Sequence, residues 1–213
     1  MDGALNLLSD RGFMNDTRRE KSRRYSHMGM SSDCNFTYAS QYQNAYEILY
    51  KSDTPVDRIA LPMLYSMRHY LELVLKYNVE YFHDYSGSRA MVGKSVHTLT
   101  KLSVAFKEHW ELVKQRFNIT VDDKVLIDDF SKLIEELDKI DNFAISFRYS
   151  HDREKNKNFE WSDTVDIHAL NKLFESSKTL LNHSMDLFED TTGLMHGTVT
   201  KEEILRSIAT SVE

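Results

Sequence analysis

The sequence predicts an all-α chain, a bundle of about five to six helices, and three observations carry that prediction. Apolar residues recur at spacings of three and four over several long stretches, which places them on single helical faces. The 213 residues include only 7 Gly and 2 Pro, too few punctuation points for many short strands. The composition, 41% hydrophobic and 28% charged, is that of an ordinary globular chain long enough to build a core without staples.

Residues 1–35 lack hydrophobic periodicity and read as a flexible basic N-terminal tail, with a helical-bundle domain over 36–213. Within the tail, Arg11, Arg18, Arg19, Lys21, Arg23 and Arg24 outnumber Asp16 and Glu20, giving either a solvated tail or a short arm that touches nucleic acid or an acidic partner. From Phe36, the residues Tyr38, Ala39, Tyr42, Ala45, Tyr46, Leu49 and Tyr50 share one face, predicting a helix that ends near Ser52, ahead of Thr54-Pro55. A second helix is expected from Pro55–Val56 to about Phe82. Pro62 lies inside that stretch, so the helix either begins near Leu61 or kinks there. The next helices are expected over about Val96–Phe117 and Asp122–Ile140, the latter with two aspartates at the positive end of its dipole.

After Ile140 the period changes. Phe143 to Ser150 is aromatic and partly β-branched, Asp152 to Asn158 is polar, and an aromatic run follows from Phe159, so a small β-hairpin near 143–165 is expected. A fifth helix should cover about Asp166–Glu189 and a sixth about Lys201–Val212. Thr200 and Glu203 have the spacing of a capping box at the start of the sixth.

Charge and cysteine usage narrow the function. A net charge of −6 argues against broad, non-specific DNA binding, which phosphate neutralisation drives. Cys34 is the only cysteine, so neither an internal disulfide nor a cysteine-based zinc site can form, and a reducing, cytoplasmic setting is expected. No signal peptide, membrane span or membrane partner is expected from the apolar runs. The nine histidines show no helix-borne metal spacing, and no Gly-rich phosphate loop or nucleophile elbow occurs; no metal and no cofactor is expected.

Two polar sets remain. Arg68, Glu72 and Lys76 are four apart in succession and share a helical face. On a helix so apolar elsewhere, such a row is either a buried ion network that sets helix register or the lining of a ligand groove. The second set is Phe147-Arg148-Tyr149-Ser150-His151-Asp152. There Arg148 can reach toward Glu72, and Asp152 can orient His151 as a general base; alternatively Arg148 and Asp152 only satisfy backbone groups of a capping loop.

The order of these pieces carries a resemblance. Leu61-Pro62 opens a helix; Arg68-His69-x-x-Glu72-Leu73-x-Leu75-Lys76 follows. His97-Thr98-Leu99-x-x-Leu102 opens the next helix, and then come Asp141 and Ser146-Phe147-Arg148-Tyr149. Over about residues 36–190 this resembles poorly characterised bacterial and phage helical proteins similar to the HEPN superfamily, where the last motif often ends in proline; here it is Ser150. The resemblance implies a helical bundle, a homodimer and RNA-related roles in defence or phage-conflict systems. Catalytic HEPN proteins look like metal-independent ribonucleases with four to six residues between an Arg and a His. Here two residues separate Arg148 from His151, three Arg23 from His27, and seven Arg89 from His97.

The expected function is therefore a binding module for RNA or a nucleotide in such a system. Its groove would be built from Arg68, Glu72, Lys76, His97, Arg148, Tyr149 and Asp152. One alternative is a ribonuclease with a non-standard site, His151 as base and Arg148 as the charge stabiliser. Another is a protein that binds and neutralises a protein partner.

Overall fold

The computed structural model describes residues 34–88, 96–141 and 145–210. Nearly all of the expected tail, Phe143 and Ala144 of the expected hairpin, part of the loop after Ser88, and the last two residues of the expected sixth helix lie outside the described residues. Among the described residues there are six α-helices: α1 Asn35–Tyr50, α2 Ala60–Ser86, α3 Leu99–Arg116, α4 Lys124–Asp141, α5 Ile167–Thr192 and α6 Lys201–Thr210. None is long and apolar enough to cross a membrane.

Helix α2 is the axis of the bundle. It packs against α1, α3, α5 and α6, while α4 closes the far side against α3 and α5. Its buried face, including Met67, Leu71, Val74, Leu75 and Phe82, is what the sequence spacing predicted. Of the two expected starts, Pro55–Val56 with a kink at Pro62 or one near Leu61, the structure takes the second. Val56–Arg58 is a separate 3-10 turn and α2 begins at Ala60, which leaves Pro62 in the first turn, where its missing N–H breaks no helical bond. The helix runs past Phe82 to Gly87, which ends it at φ 73°, and a Cβ there would sit 2.7 Å from the Arg116 guanidinium.

The starts of α5 and α6 are fixed by side-chain acceptors. Asp166 accepts the Ala169 N–H at 2.9 Å ahead of α5. Before α6, Glu203 accepts the Thr200 N–H at 2.7 Å while Thr200 Oγ1 accepts the Glu203 N–H at 3.3 Å, the capping box expected from the spacing. Polar ties cross the core as well. Asn78 of α2 donates to the Leu181 carbonyl at 2.8 Å, and Tyr46 of α1 to Asn171 at 2.8 Å, both on α5.

The expected hairpin is corrected. Among the described residues there is no strand, only one antiparallel bridge, His151 with Lys157. The polar turn itself is present, with the Asp152 N–H bonded to Asn156 O at 2.9 Å. Pairing stops after one bridge because the two limbs bury single aromatics instead of forming a ladder. Phe147 is buried and stacks on Phe159, with ring centres 6.2 Å apart, which pins both limbs to the bundle.

Candidate functional site

The three-residue row on α2 divides in depth. Arg68 is 1% exposed and Glu72 is 4% exposed, whereas Lys76 and His97 reach the surface. Arg68 is the hub. Its Nη1 donates to Glu72 at 3.3 Å, its Nη2 to the His97 carbonyl at 2.9 Å, and its Nε to the Asp141 carbonyl at 3.1 Å. One side chain thus ties α2 to the segment before α3 and to the end of α4. Asp141 then passes the tie onward. Its Oδ1 accepts the N–H groups of Ile145 and Ser146 at 2.8 and 3.0 Å, while its buried Oδ2 lies 3.9 Å from Arg68 Nε. The network therefore sets where the loop carrying Arg148 begins. Asp138 of α4 does the same for the His97 segment by accepting the N–H and hydroxyl of Thr100.

Above this network runs a partly open seam. Along α2 it presents Tyr65, His69 and Lys76, all half-buried, flanked by Tyr42 of α1, His97 and Arg148. Tyr65 stacks on His69 at 5.5 Å and 10°, and Tyr42 meets the same imidazole edge-on at 4.3 Å. The Arg148 guanidinium is 5.8 Å from the Tyr65 ring centre and 5.5 Å from that of Tyr149, within cation–π range of both. Glu72 takes Arg68, Lys76 and His97 as its partners, and the expected reach of Arg148 is to Tyr65 of α2 instead.

Among the described residues, His97 is an imidazole oriented by a buried carboxylate. Its Nδ1 stands 2.8 Å from Glu72 Oε1. A carboxylate only accepts, so Nδ1 carries the proton, and in the neutral ring Nε2 is the free acceptor. With its side chain 61% exposed over a buried carboxylate, His97 has the geometry of a general base and its orienter. Lys76 Nζ donates to the same Glu72 oxygen at 2.8 Å.

The expected pairing of His151 with Asp152 is replaced by turn chemistry. Asp152 Oδ1 accepts the N–H groups of Glu154 and Asn156, each at 2.8 Å, and its Oδ2 accepts from the Asn156 side chain at 3.0 Å. His151 Nδ1 instead faces Ser150 Oγ at 2.9 Å. His151 and Arg148 do share an open cavity of 390 Å³ with Tyr149 and Arg153. Among the described residues no group of His, Cys, Asp or Glu is arranged to hold a metal ion.

The electrostatics of the seam rest on burial and ion pairing. Burial pushes the Glu72 carboxyl up, but the hydrogen bonds from Lys76 and His97 outweigh it and hold the group below its ordinary value, so it stays ionised. Burial pulls the His69 imidazole down and outweighs Glu72, with Lys76, Arg68 and Arg148 adding to the depression, so it is neutral at pH 7. Both carboxylates, Glu72 and Asp141, are buried, while two cations, Lys76 and Arg148, face outward.

A pH dependence follows. A carboxyl with a lowered folded-state pKa stabilises the fold fully above its unfolded value, and that contribution is lost as pH falls through the folded value. Part of the acid-unfolding limb below about pH 4.5 therefore belongs to Glu72. Glu72→Gln, which cannot titrate, is expected to flatten that limb in circular-dichroism titrations; a limb of unchanged slope would assign it elsewhere, for instance to Glu47, held down to about 2 by Gln43 and Lys178.

Compared with protein-family models, with curated proteins and with solved structures, the chain matches none of them.

Proposed function

We propose that the seam binds a phosphate-bearing ligand with a nucleobase, RNA or a nucleotide, and that the chain is a nucleic-acid-binding module. The observation that carries this reading is the Arg148 guanidinium laid against Tyr65 of α2, on a surface where Lys76 and His97 are both held by the buried Glu72 carboxylate. Arg148 and Lys76 supply charge-assisted donors for phosphate, and the Tyr42, Tyr65 and Tyr149 rings supply faces and edges for a base. The motif resemblance to HEPN proteins gives this reading its setting, a prokaryotic or phage conflict system, and its form, a homodimer.

A second reading is favoured by the Glu72–His97 geometry. His97 Nε2 would take the proton of an RNA 2′-hydroxyl as that oxygen attacks the adjacent phosphorus. The 5′-oxygen would leave with a proton returned by the imidazolium, giving a 2′,3′-cyclic phosphate. In this form the base is His97, not His151.

One experiment addresses both. A labelled single-stranded RNA is titrated over a salt series, and the same samples are then resolved on a gel. Binding that weakens with salt is expected. Arg148→Ala is expected to weaken it about tenfold and to reduce the salt slope by about 0.7, the loss of one phosphate contact. No binding at low salt, or an unchanged slope in Arg148→Ala, would defeat the binding reading. Cleavage abolished by His97→Ala supports the second reading; cleavage equal in wild type and His97→Ala defeats it.

A further inference from the structure

The loop from Arg148 to Trp161 carries a feature that the seam does not use. Trp161 is 102% exposed, the most solvent-exposed large apolar side chain among the described residues. It is not on a loose strand of chain. Asp163 accepts the Glu160 N–H at 2.8 Å and donates its own N–H to the Glu160 carbonyl at 3.0 Å, closing a turn with Trp161 at its tip. The indole borders an open cavity of 470 Å³ formed with Ser150, His151, Lys157, Phe159 and Glu160.

That cavity adjoins the one beside Arg148. His151 lines both, and both volumes, 390 and 470 Å³, fall in the range of small-ligand sites, about 300–1,000 Å³. Arg148 in turn belongs to the seam. The result is a continuous track: seam, Arg148, first cavity, His151, second cavity, Trp161. Charge along it alternates with aromatic surface. Arg148, Arg153 and Lys157 border Tyr149, Phe159 and Trp161, and the carboxylate of Asp152 is turned inward onto backbone N–H groups. Glu160 lies 4.0 Å from Lys157, so this end of the track is less positive than the Arg148 end.

We infer that Trp161 is a base-stacking platform and that the ligand is an extended single strand of nucleic acid spanning both cavities. This rests on the proposed binding at Arg148 and adds the class of ligand to it. A mononucleotide held at Arg148 fills the first cavity, whose lining does not include Trp161. A duplex has its base faces already stacked and offers Trp161 nothing, whereas an unpaired base presents a face that any indole can cover.

The chain contains two tryptophans, and Trp110 is buried, so the accessible emission belongs to Trp161. Titration with a single-stranded oligonucleotide is expected to quench that emission, while a mononucleotide and the annealed duplex leave it unchanged. Trp161→Ala is expected to weaken oligonucleotide binding about tenfold with mononucleotide affinity unchanged, and Trp161→Phe to restore part of the loss. The fold should tolerate both, since the side chain packs on nothing. Oligonucleotide binding that depends on Arg148 but is indifferent to Trp161→Ala would overturn the platform and leave the Arg148 site standing. Absence of any oligonucleotide binding by the wild type would overturn both. A change in sedimentation with Trp161→Ala, at unchanged oligonucleotide affinity, would make Trp161 a protein contact and overturn the inference equally.

Discussion

Arg68→Ala is expected to destabilise the protein by about 3–5 kcal/mol, the cost of removing one partner from a buried ion pair. The size follows from what is left behind. Asp141 loses the cation nearest its buried carboxylate, and the carbonyls of His97 and Asp141 lose their donor. Glu72 retains Lys76 and His97, so the loss does not reach the level of a fully orphaned charge. In urea, at a typical slope of roughly 2 kcal/mol per molar, the midpoint should fall by about 2 M. Arg68→Met keeps much of the volume and should lose nearly as much, because the stranded groups are the same. The Lys201–Asp84 pair makes the control. It is shorter, at 2.8 Å against 3.3 Å for Arg68–Glu72, but about half exposed, and Asp84→Ala should leave the midpoint where it is. A loss below about 1 kcal/mol for Arg68→Ala would mean that water replaces the guanidinium and that the hub is not holding the three segments.

Why the sequence announced the row but not its depth is a matter of which contacts are local. Residues 68, 72 and 76 lie on one helical face whatever the tertiary structure does, so their mutual pairing was legible at once. The helices were legible for the same reason, through the spacing of Met67, Leu71, Val74 and Leu75 and their counterparts. The partners that decide function are not local. His97 meets Glu72 from 25 positions away, out of the segment just ahead of α3, and Asp141 meets Arg68 from 73. His151 and Asp152 looked like a base and its orienter because they are adjacent. Adjacency instead let Asp152 close its own turn onto Glu154 and Asn156, the habit of aspartate in polar loops. The hairpin was misread from the aromatic and β-branched residues around the turn. Such residues favour strands when a ladder neighbour completes the sheet, but Phe147 and Phe159 find the bundle first. Trp161 gave no signal in a sequence with 11 Tyr and 11 Phe, since nothing in its neighbours distinguishes an indole turned outward from one turned in.

Asp141→Ala is expected to couple the two halves of this picture: a stability loss of about 3 kcal/mol and a loss of ligand affinity at least as large as that of Arg148→Ala. Asp141 touches no part of the seam. Its Oδ1 holds the N–H groups of Ile145 and Ser146, and those two residues precede the turn that delivers Arg148 to Tyr65. Without that acceptor both amides should exchange with solvent faster, and the guanidinium should no longer be presented in one place, so binding would pay the cost of ordering it. Asp141→Asn separates the contributions. The amide oxygen can still take both N–H groups, which keeps the loop start in place. The amide nitrogen then replaces Oδ2, near the Arg68 Nε, where a donor meets a donor. The variant should therefore lose stability while largely keeping affinity and the slow exchange of Ile145 and Ser146. If Asp141→Asn instead lost affinity in proportion to stability, the ion pair with Arg68, rather than the two backbone bonds, would be what positions Arg148.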